Sequence, residues 1–177
     1  MPRANLTRSA LWAVPPLLTL VACESFDQGR VERIAELVID GPGIEAAAGR
    51  PLKSDAVDPV SWEVPLPGVP AAIFATEVRL SITDTERGEG DDDDFGFLTG
   101  IRFTIASTRD GSTLPPRLLA WNLAPGSVKD LVLDTAAGLD VTDYIVEGFE
   151  LRVTVEGVVP EDAVSFDGEV VLAIDVI

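Results

Sequence analysis

The chain has no histidine, a single cysteine and only two lysines among its 177 residues. The absence of histidine excludes Ser-His-Asp and Cys-His catalysis, and it excludes zinc held by imidazole. A single cysteine excludes an intramolecular disulfide, so any folded domain must be held together by packing alone. Most nucleophilic mechanisms are thereby excluded, and only catalysis by carboxylates remains. The sequence therefore predicts a protein that is not an enzyme.

Acidic side chains dominate the charge of the chain. Thirty Asp and Glu residues stand against 13 Lys and Arg residues, which gives a net charge of −17. Such a charge repels nucleic acid and anionic lipid surfaces, so no nucleic-acid partner is expected. It suits a solvated exported domain or a partner with a basic face.

The N-terminal segment has the three parts of a secretory signal peptide. Arg3 and Arg8 make its start basic, Ala10–Leu20 is apolar, and small residues follow. The apolar stretch has about half of the roughly 20 residues that a membrane-spanning helix needs. Pro15 and Pro16 also interrupt it, and two prolines would break such a helix. The segment is therefore interpreted as a cleaved signal and not as a membrane helix.

A four-residue motif closes this segment and contains the only cysteine. Leu20, Val21, Ala22 and Cys23 together resemble the lipobox of bacterial lipoproteins, and the resemblance covers residues 1–24 only. It implies that residues 1–22 are removed as a signal peptide. It also implies that Cys23 then carries a thioether-linked diacylglycerol and an acylated amine. Several acyl chains exceed the two anchoring signals that stable membrane attachment needs, so the lipid bilayer becomes a partner through Cys23.

The residue after the cysteine bears on location. In the best-studied Gram-negative sorting rule, Asp at this place retains a lipoprotein in the inner membrane, so Glu24 implies the outer membrane of the bacterial cell envelope. Removal of Arg3 and Arg8 with the signal, and of no acid, takes the net side-chain charge from −17 to −19. Residues 23–33 are predicted to be the lipidated cysteine and a short polar tether, followed by one domain over residues 34–177.

From Ile34 onward the hydrophobic pattern has a period of two, which is typical of half-buried strands. The clearest strand is Phe149–Glu156, where apolar and charged residues alternate. Further strands are predicted over Val78–Ile82, Ile101–Ile105 and Glu169–Ile177, with weaker candidates at Ile34–Asp40, Val60–Leu66, Arg117–Leu123 and Asp130–Asp134. The C-terminal run is apolar on both faces, so it should lie centrally in a sheet or be covered.

These patterns predict an all-β domain. Eight or so strands separated by glycine- and proline-rich turns favour an antiparallel β-sandwich of immunoglobulin-like or jelly-roll type. One short helical turn is predicted near Asp140–Val146, with Asp140 or Thr142 as its cap.

The densest acidic cluster lies between two predicted strands. Its candidate metal ligands are Asp84, Glu86, Asp91, Asp92, Asp93 and Asp94. Hard oxygen ligands on a glycine-bearing loop suit Ca²⁺, although the spacing differs from that of an EF-hand. The other interpretation is a solvated loop whose charges keep sheet edges from pairing with other chains.

The aromatic residues offer one candidate ligand platform. Trp62 lies among polar residues and prolines, and an exposed ring there could bind carbohydrate. Phe103, Phe149 and Trp121 fall on apolar strand faces and are expected in the core. Paired carboxylates could also serve a hydrolase, which would need a cleft with two acids of raised pKa.

The sequence thus predicts a lipid-anchored envelope protein with a structural or protein-interaction role and an envelope protein partner. The alternatives are a Ca²⁺- or carbohydrate-binding module centred on residues 84–94 and Trp62, and a carboxylate hydrolase. No cofactor other than Ca²⁺ is expected.

Overall fold

The computed structural model describes residues 28–41, 49–66, 70–83 and 94–176. Seven strands in this part of the chain form one antiparallel sheet in the order β1-β7-β2-β5-β4-β3-β6. The strands are β1 Gln28–Ile39, β2 Pro70–Ile82, β3 Leu98–Ser107, β4 Arg117–Asn122, β5 Asp130–Thr135, β6 Phe149–Gly157 and β7 Val164–Val176. A helix, α1, spans Thr142–Glu147, and a 3-10 turn spans Phe95–Phe97. The all-β expectation is confirmed.

The period of two decides which side chains reach the core. In β6 the residues Phe149, Leu151, Val153 and Val155 are buried, and the residues between them face outward or are half-buried. β7 lies between β1 and β2, as its apolar character predicted. Alternation in a pleated strand sends every second side chain to one face, which is why these strands bury one row each.

The sheet curls around a single hydrophobic core. β5 pairs with β2 through Asp130–Leu133 but with β4 only through Asp134 and Thr135. The sheet turns at this narrow junction, and both halves contribute to one cluster of buried side chains. Phe95 and Phe166 meet across it edge to face, with ring centroids 5.5 Å apart.

The segment 49–66 is extended but is not a regular strand, contrary to the prediction for Val60–Leu66. Val60 makes an isolated bridge to Leu151, with N···O distances of 3.0 and 2.7 Å. Pro59 and Pro65 lack the N–H groups that a continuous ladder needs. The period of two survives, because Val60, Trp62, Val64 and Leu66 all pack against the core.

The same segment covers the outer edge of β6. Leu52 N donates to Gly157 O at 3.0 Å, and Val155 N donates to Ser54 O at 3.1 Å. These bonds satisfy backbone groups that an edge strand would otherwise leave open to other chains. Among the described residues, β1 is the strand without a partner along its outer side.

The domain begins earlier than predicted. β1 starts at Gln28, which pairs with Ile174, so residues 28–33 are strand and not tether. The polar character of these residues hid the strand, because an edge strand accepts charges on both faces. Arg30 pairs with Glu32 on one face, and Arg33 pairs with Glu169 on the other. Of the predicted tether, residues 23–27 lie outside the described residues.

The antiparallel order gives the sheet two distinct ends. Gln28 pairs with Ile174 at one end of β1, and Ile39 pairs with Val164 at the other. We call the first end the tether pole and the second the loop pole. β2 starts at the tether pole and ends at the loop pole, where Ile82 pairs with Phe166. The acidic run 84–94 follows β2, so it joins the sheet at the loop pole.

Helix α1 confirms the predicted helical turn. The N-cap residue is Val141, which makes no side-chain cap hydrogen bond, so the cap predicted at Asp140 or Thr142 is wrong. Asp140 lies one residue earlier, and its Oδ1 accepts hydrogen bonds from Thr142 N at 2.9 Å and Thr142 Oγ1 at 2.5 Å. Asp140 also bridges to Phe74 near the start of β2, which places the helix at the tether pole.

Candidate functional site

The predicted processing and anchoring residues lie outside the described part of the chain. This applies to residues 1–22 with the lipobox Leu20, Val21 and Ala22, and to Cys23. Within residues 28–41, 49–66, 70–83 and 94–176, no helix is long and apolar enough to cross a membrane.

Of the predicted metal ligands, only Asp94 is among the described residues; Asp84, Glu86, Asp91, Asp92 and Asp93 are not. Asp94 caps the 3-10 turn, and its Oδ1 accepts a hydrogen bond from Gly96 N at 2.6 Å. Where the structure describes the chain, no three acidic or cysteine side chains gather as a metal site would require. Asp94 therefore serves as the N-cap of the 3-10 turn that follows it.

Trp62 is not the exposed ring that the sequence suggested. Its ring packs edge to face on Phe149, with centroids 4.8 Å apart and planes at 78°. The indole Nε1 is buried and has no hydrogen-bond partner. Alternation carries Trp62 inward with Val60 and Val64, so polar neighbours in the sequence were a poor guide to its exposure.

A small cavity lies against the Trp62 ring. Its volume is about 20 Å³, and every other side chain lining it is apolar, among them Ala75, Ile105, Val141 and Leu172. One water molecule needs roughly 10–15 Å³ and two to four polar partners, whereas small-molecule sites occupy about 300–1,000 Å³. The cavity is thus a gap in packing and not a carbohydrate site.

A polar network at the tether pole joins α1 to the loop after β3. Glu147 Oε2 accepts hydrogen bonds from Ser107 Oγ at 2.8 Å and Ser112 Oγ at 2.6 Å. Tyr144 Oη donates to the carbonyl of Pro115 at 2.5 Å. The hydrogen bonds from the two serines, helped by Arg109 nearby, lower the pKa of Glu147. The network therefore holds the loop against the helix.

Asp140 is the second carboxyl with a perturbed pKa at this pole. Burial acts to raise it, but hydrogen bonds from the Thr142 hydroxyl, the Thr142 N–H and the Ile73 N–H outweigh burial and lower the pKa. A hydrolase needs a carboxyl held protonated by a raised pKa as its general acid. Asp140 and Glu147 are both shifted the opposite way and suit structural anchoring.

Sequence reasoning missed the surface around Trp121, which it assigned to the core. Trp121 lies opposite Arg102 on β3 and Asp134 on β5, both on the outer face of the sheet. The register slips by one residue where Phe103 pairs with Ala120 and Thr104 pairs with Leu118. This bulge reverses the alternation along β4 and turns Trp121 outward.

Trp121 shares the outer face with several exposed apolar side chains. Leu118, Leu123 and Val132 are 42%, 57% and 58% exposed. Asn122 Nδ2 donates to Val132 O at 3.3 Å, which joins the end of β4 to β5. We call Leu118, Trp121, Leu123 and Val132 the outer strip. No pattern in the sequence marks this strip, because the bulge decides which side chains of β4 face outward.

No protein-family model and no curated protein sequence matches this chain.

Proposed function

We propose that this protein is a lipid-anchored component of the bacterial cell envelope, held in the outer membrane through acylated Cys23. Its β-domain serves a structural or protein-interaction role. The observation that carries the proposal is the position of β1, which begins at Gln28, five residues after Cys23. Five residues span at most about 18 Å, so the tether pole lies close to the bilayer surface.

The two poles suit this attachment. β1 has 12 residues, and a strand of that length covers about 40 Å. The acidic run joins the far end of the sheet, at the loop pole. Screening by salt reduces charge interactions over about 8 Å at physiological ionic strength. A domain anchored at the tether pole therefore keeps the loop-pole ends of β1 and β2 several screening lengths from anionic lipid headgroups.

An interaction role fits the described residues better than catalysis. Asp140 and Glu147 have lowered pKa values and are committed to hydrogen bonds that hold α1 and its neighbouring loop. The outer strip, by contrast, leaves apolar side chains in solvent, which in soluble domains is typical of interaction surfaces.

We also propose that the curled sheet works as a two-layer sandwich. One layer is β1-β7-β2-β5 and the other is β4-β3-β6. The support is the narrow β4–β5 junction and the single core to which both groups contribute. Whether the connections are of immunoglobulin-like or jelly-roll type does not affect the anchoring proposal.

Fatty-acid labelling of the full chain tests the anchor. Cells that make the wild type or Cys23→Ser are fed an alkyne fatty acid, and the protein is purified and its label measured. We expect label in the wild type and none in Cys23→Ser, which should accumulate with its signal attached or appear in soluble fractions. Equal label in both chains would overturn the proposal.

Glu24→Asp is the matched control. It keeps the cysteine and should be labelled as fully as the wild type. By the sorting rule it should shift from outer-membrane to inner-membrane fractions on a density gradient. A labelled variant that stays in the outer membrane would remove the argument for location and leave the argument for anchoring.

A further inference from the structure

The chain contains three Asp-Gly pairs, at residues 40–41, 110–111 and 167–168. At such a pair the aspartate carboxyl lies beside an amide nitrogen that no side chain shields, because glycine has none. The nitrogen can attack the carboxyl carbon and close a five-membered succinimide ring. The three pairs have the same local chemistry, and the fold is what separates them.

The pair Asp167-Gly168 is held in the middle of the sheet. It lies in β7, where Gly168 pairs with Ile34 on one side and with Leu80 on the other. Backbone N–H groups of a strand with two neighbours are bonded in the ladder, and ring closure would require this pairing to break. Opening of a central strand costs nearly the full free energy of unfolding, so the pair is protected while the protein is folded.

The pair Asp40-Gly41 is confined by the turn between β6 and β7. A Cβ atom placed on Gly41 would lie 2.0 Å from the carbonyl oxygen of Asp162, so the two main chains are in direct contact. Succinimide formation requires the main chain at this pair to rotate into the geometry of the ring. The contact with Asp162 restricts that rotation, and the pair is therefore restrained.

The pair Asp110-Gly111 lies unrestrained at the tip of a turn after β3. Ser112 N donates to Arg109 O at 3.1 Å, which makes residues 109–112 a β-turn. Asp110 and Gly111 are both exposed, and a Cβ atom on Gly111 would meet nothing within 4 Å. Where the structure describes the chain, Gly111 N donates no hydrogen bond. The nitrogen is therefore free to approach the Asp110 carboxyl.

We propose that Asp110 converts spontaneously to isoaspartate. Gly111 N attacks Cγ of the protonated Asp110 carboxyl; the N–Cγ bond forms, and one carboxyl oxygen leaves as water with the carboxyl proton and the amide proton. Water then opens the succinimide. Attack at Cγ restores aspartate, whereas attack at the main-chain carbonyl carbon breaks its bond to nitrogen and leaves the chain running through Cβ and Cγ. The reaction belongs to the chain itself and is independent of the proposed anchor.

The turn that changes is part of the polar network at the tether pole. Ser107 and Ser112 lie on either side of its tip, and their hydroxyls donate to Glu147 Oε2 at 2.8 and 2.6 Å. Isoaspartate adds one carbon to the main chain, and a C–C bond is about 1.5 Å long. A displacement of that size breaks a hydrogen bond. Isomerisation should therefore loosen the loop after β3 from α1.

Uptake of heavy oxygen from water measures the reaction, because each opening of the ring adds one oxygen atom from the solvent. The purified full chain is incubated in heavy-oxygen water, digested in ordinary water and analysed by tandem mass spectrometry at each Asp-Gly pair. The same chain in urea is the reference, since unfolding exposes all three pairs.

The fold should protect two pairs and leave the third reactive. We expect Asp110 to gain label within about fivefold of its rate in urea, and Asp40 and Asp167 to gain it at least tenfold more slowly than in urea. Protection of Asp110 as strong as that of Asp167 would overturn the proposal. Equal labelling of all three pairs in the folded chain would overturn it as well.

Asp110→Glu is the matched variant. It keeps the charge, but its side chain is one carbon longer and would have to close a six-membered ring, so label at position 110 should fall at least tenfold. Asp40→Glu makes the same change at a restrained pair and should leave the label at Asp110 within twofold of the wild type. Label at position 110 that survives Asp110→Glu would mean that the oxygen does not enter through a succinimide, and the proposal would fall.

Hydrogen exchange tests the effect on the loop. Electron-transfer fragmentation identifies the isoaspartate in wild-type chain that has been aged in buffer. Amides of residues 108–114 should exchange at least tenfold faster in that chain than in fresh chain, and Asp110→Glu aged for the same time should show no change. A chain that carries isoaspartate at position 110 and exchanges as before would refute the loosening of the loop.

Discussion

Replacing Trp62 tests how much its ring contributes to the packing and stability of the core. The ring packs edge-on against Phe149 while its buried Nε1 has no acceptor. Trp62→Phe keeps an aromatic ring on Phe149 and removes the unpaired N–H. Trp62→Ala removes both, and it opens the 20 Å³ cavity that already lies beside the ring.

The two substitutions should differ by several kcal/mol. An aromatic-to-alanine change in a core costs about 3–5 kcal/mol, and Trp62 is half-buried, so we expect about 3 kcal/mol for Trp62→Ala. Trp62→Phe loses about 1–2 kcal/mol of apolar burial. It also relieves the cost of an unsatisfied buried donor, about 1–3 kcal/mol. The net change for Trp62→Phe should thus lie within about 1 kcal/mol of zero.

Urea unfolding followed by far-UV circular dichroism measures both variants without relying on the fluorescence of the ring that is changed. A loss of more than about 2 kcal/mol in Trp62→Phe would mean that the indole N–H has an acceptor and contributes to stability. A loss below about 1 kcal/mol in Trp62→Ala would mean that the ring does not close the core. Either result refutes the reasoning.

Three further substitutions, with Gly100→Ala as a control, test the two poles. Tyr144→Phe loses the bond to Pro115 O, and urea unfolding should show a loss of about 1 kcal/mol, with no loss expected if the hydroxyl is solvated instead. Because the pKa of Asp140 is lowered from 3.8, its contribution is present above that pH and disappears as pH falls through the folded value. The Tm of the wild type should therefore exceed that of Asp140→Asn at pH 7, and the difference should shrink below pH 4; a constant difference contradicts the assignment. Gly157→Ala places Cβ 2.2 Å from a backbone oxygen and should cost more than about 2 kcal/mol by urea unfolding, whereas Gly100→Ala, whose nearest contact is 3.6 Å, should cost far less.

Much of the sheet could be predicted because alternation is a local property. The run from Phe149 to Val155 places its apolar residues inward in β6, and helix α1 forms where a short helical turn was expected. The start of β1 could not be found in this way. Residues 28–33 are polar, and only their pairing with β7 makes them a strand.

Trp62 was expected to be exposed but packs against the core, and Trp121 was expected in the core but faces outward. The two predictions failed for different reasons. Trp62 has polar neighbours, but burial follows the alternate residues Val60 and Val64 and not the adjacent ones. Trp121 lies on an apolar run, but an extra residue in the β3–β4 pairing reverses which side of β4 faces inward. A bulge has no reliable signal in a single sequence.

That reversal is also what creates the outer strip. Without the slip between Phe103 and Thr104, strict alternation from Ala120 would place Leu118 inward together with Ala120. With it, Leu119 and Ala120 are both buried and Leu118 is left 42% exposed beside Trp121. Deleting Leu119 should restore continuous pairing between β3 and β4 and leave Trp121 opposite Arg102 on the outer face. We expect such a chain to be less stable by about 2–3 kcal/mol, because the buried side chain of Leu119 is lost from the core. A deletion variant that keeps wild-type stability, or in which fluorescence quenching shows that Trp121 has become buried, would mean that Leu119 is not the extra residue that sets the orientation of this strand.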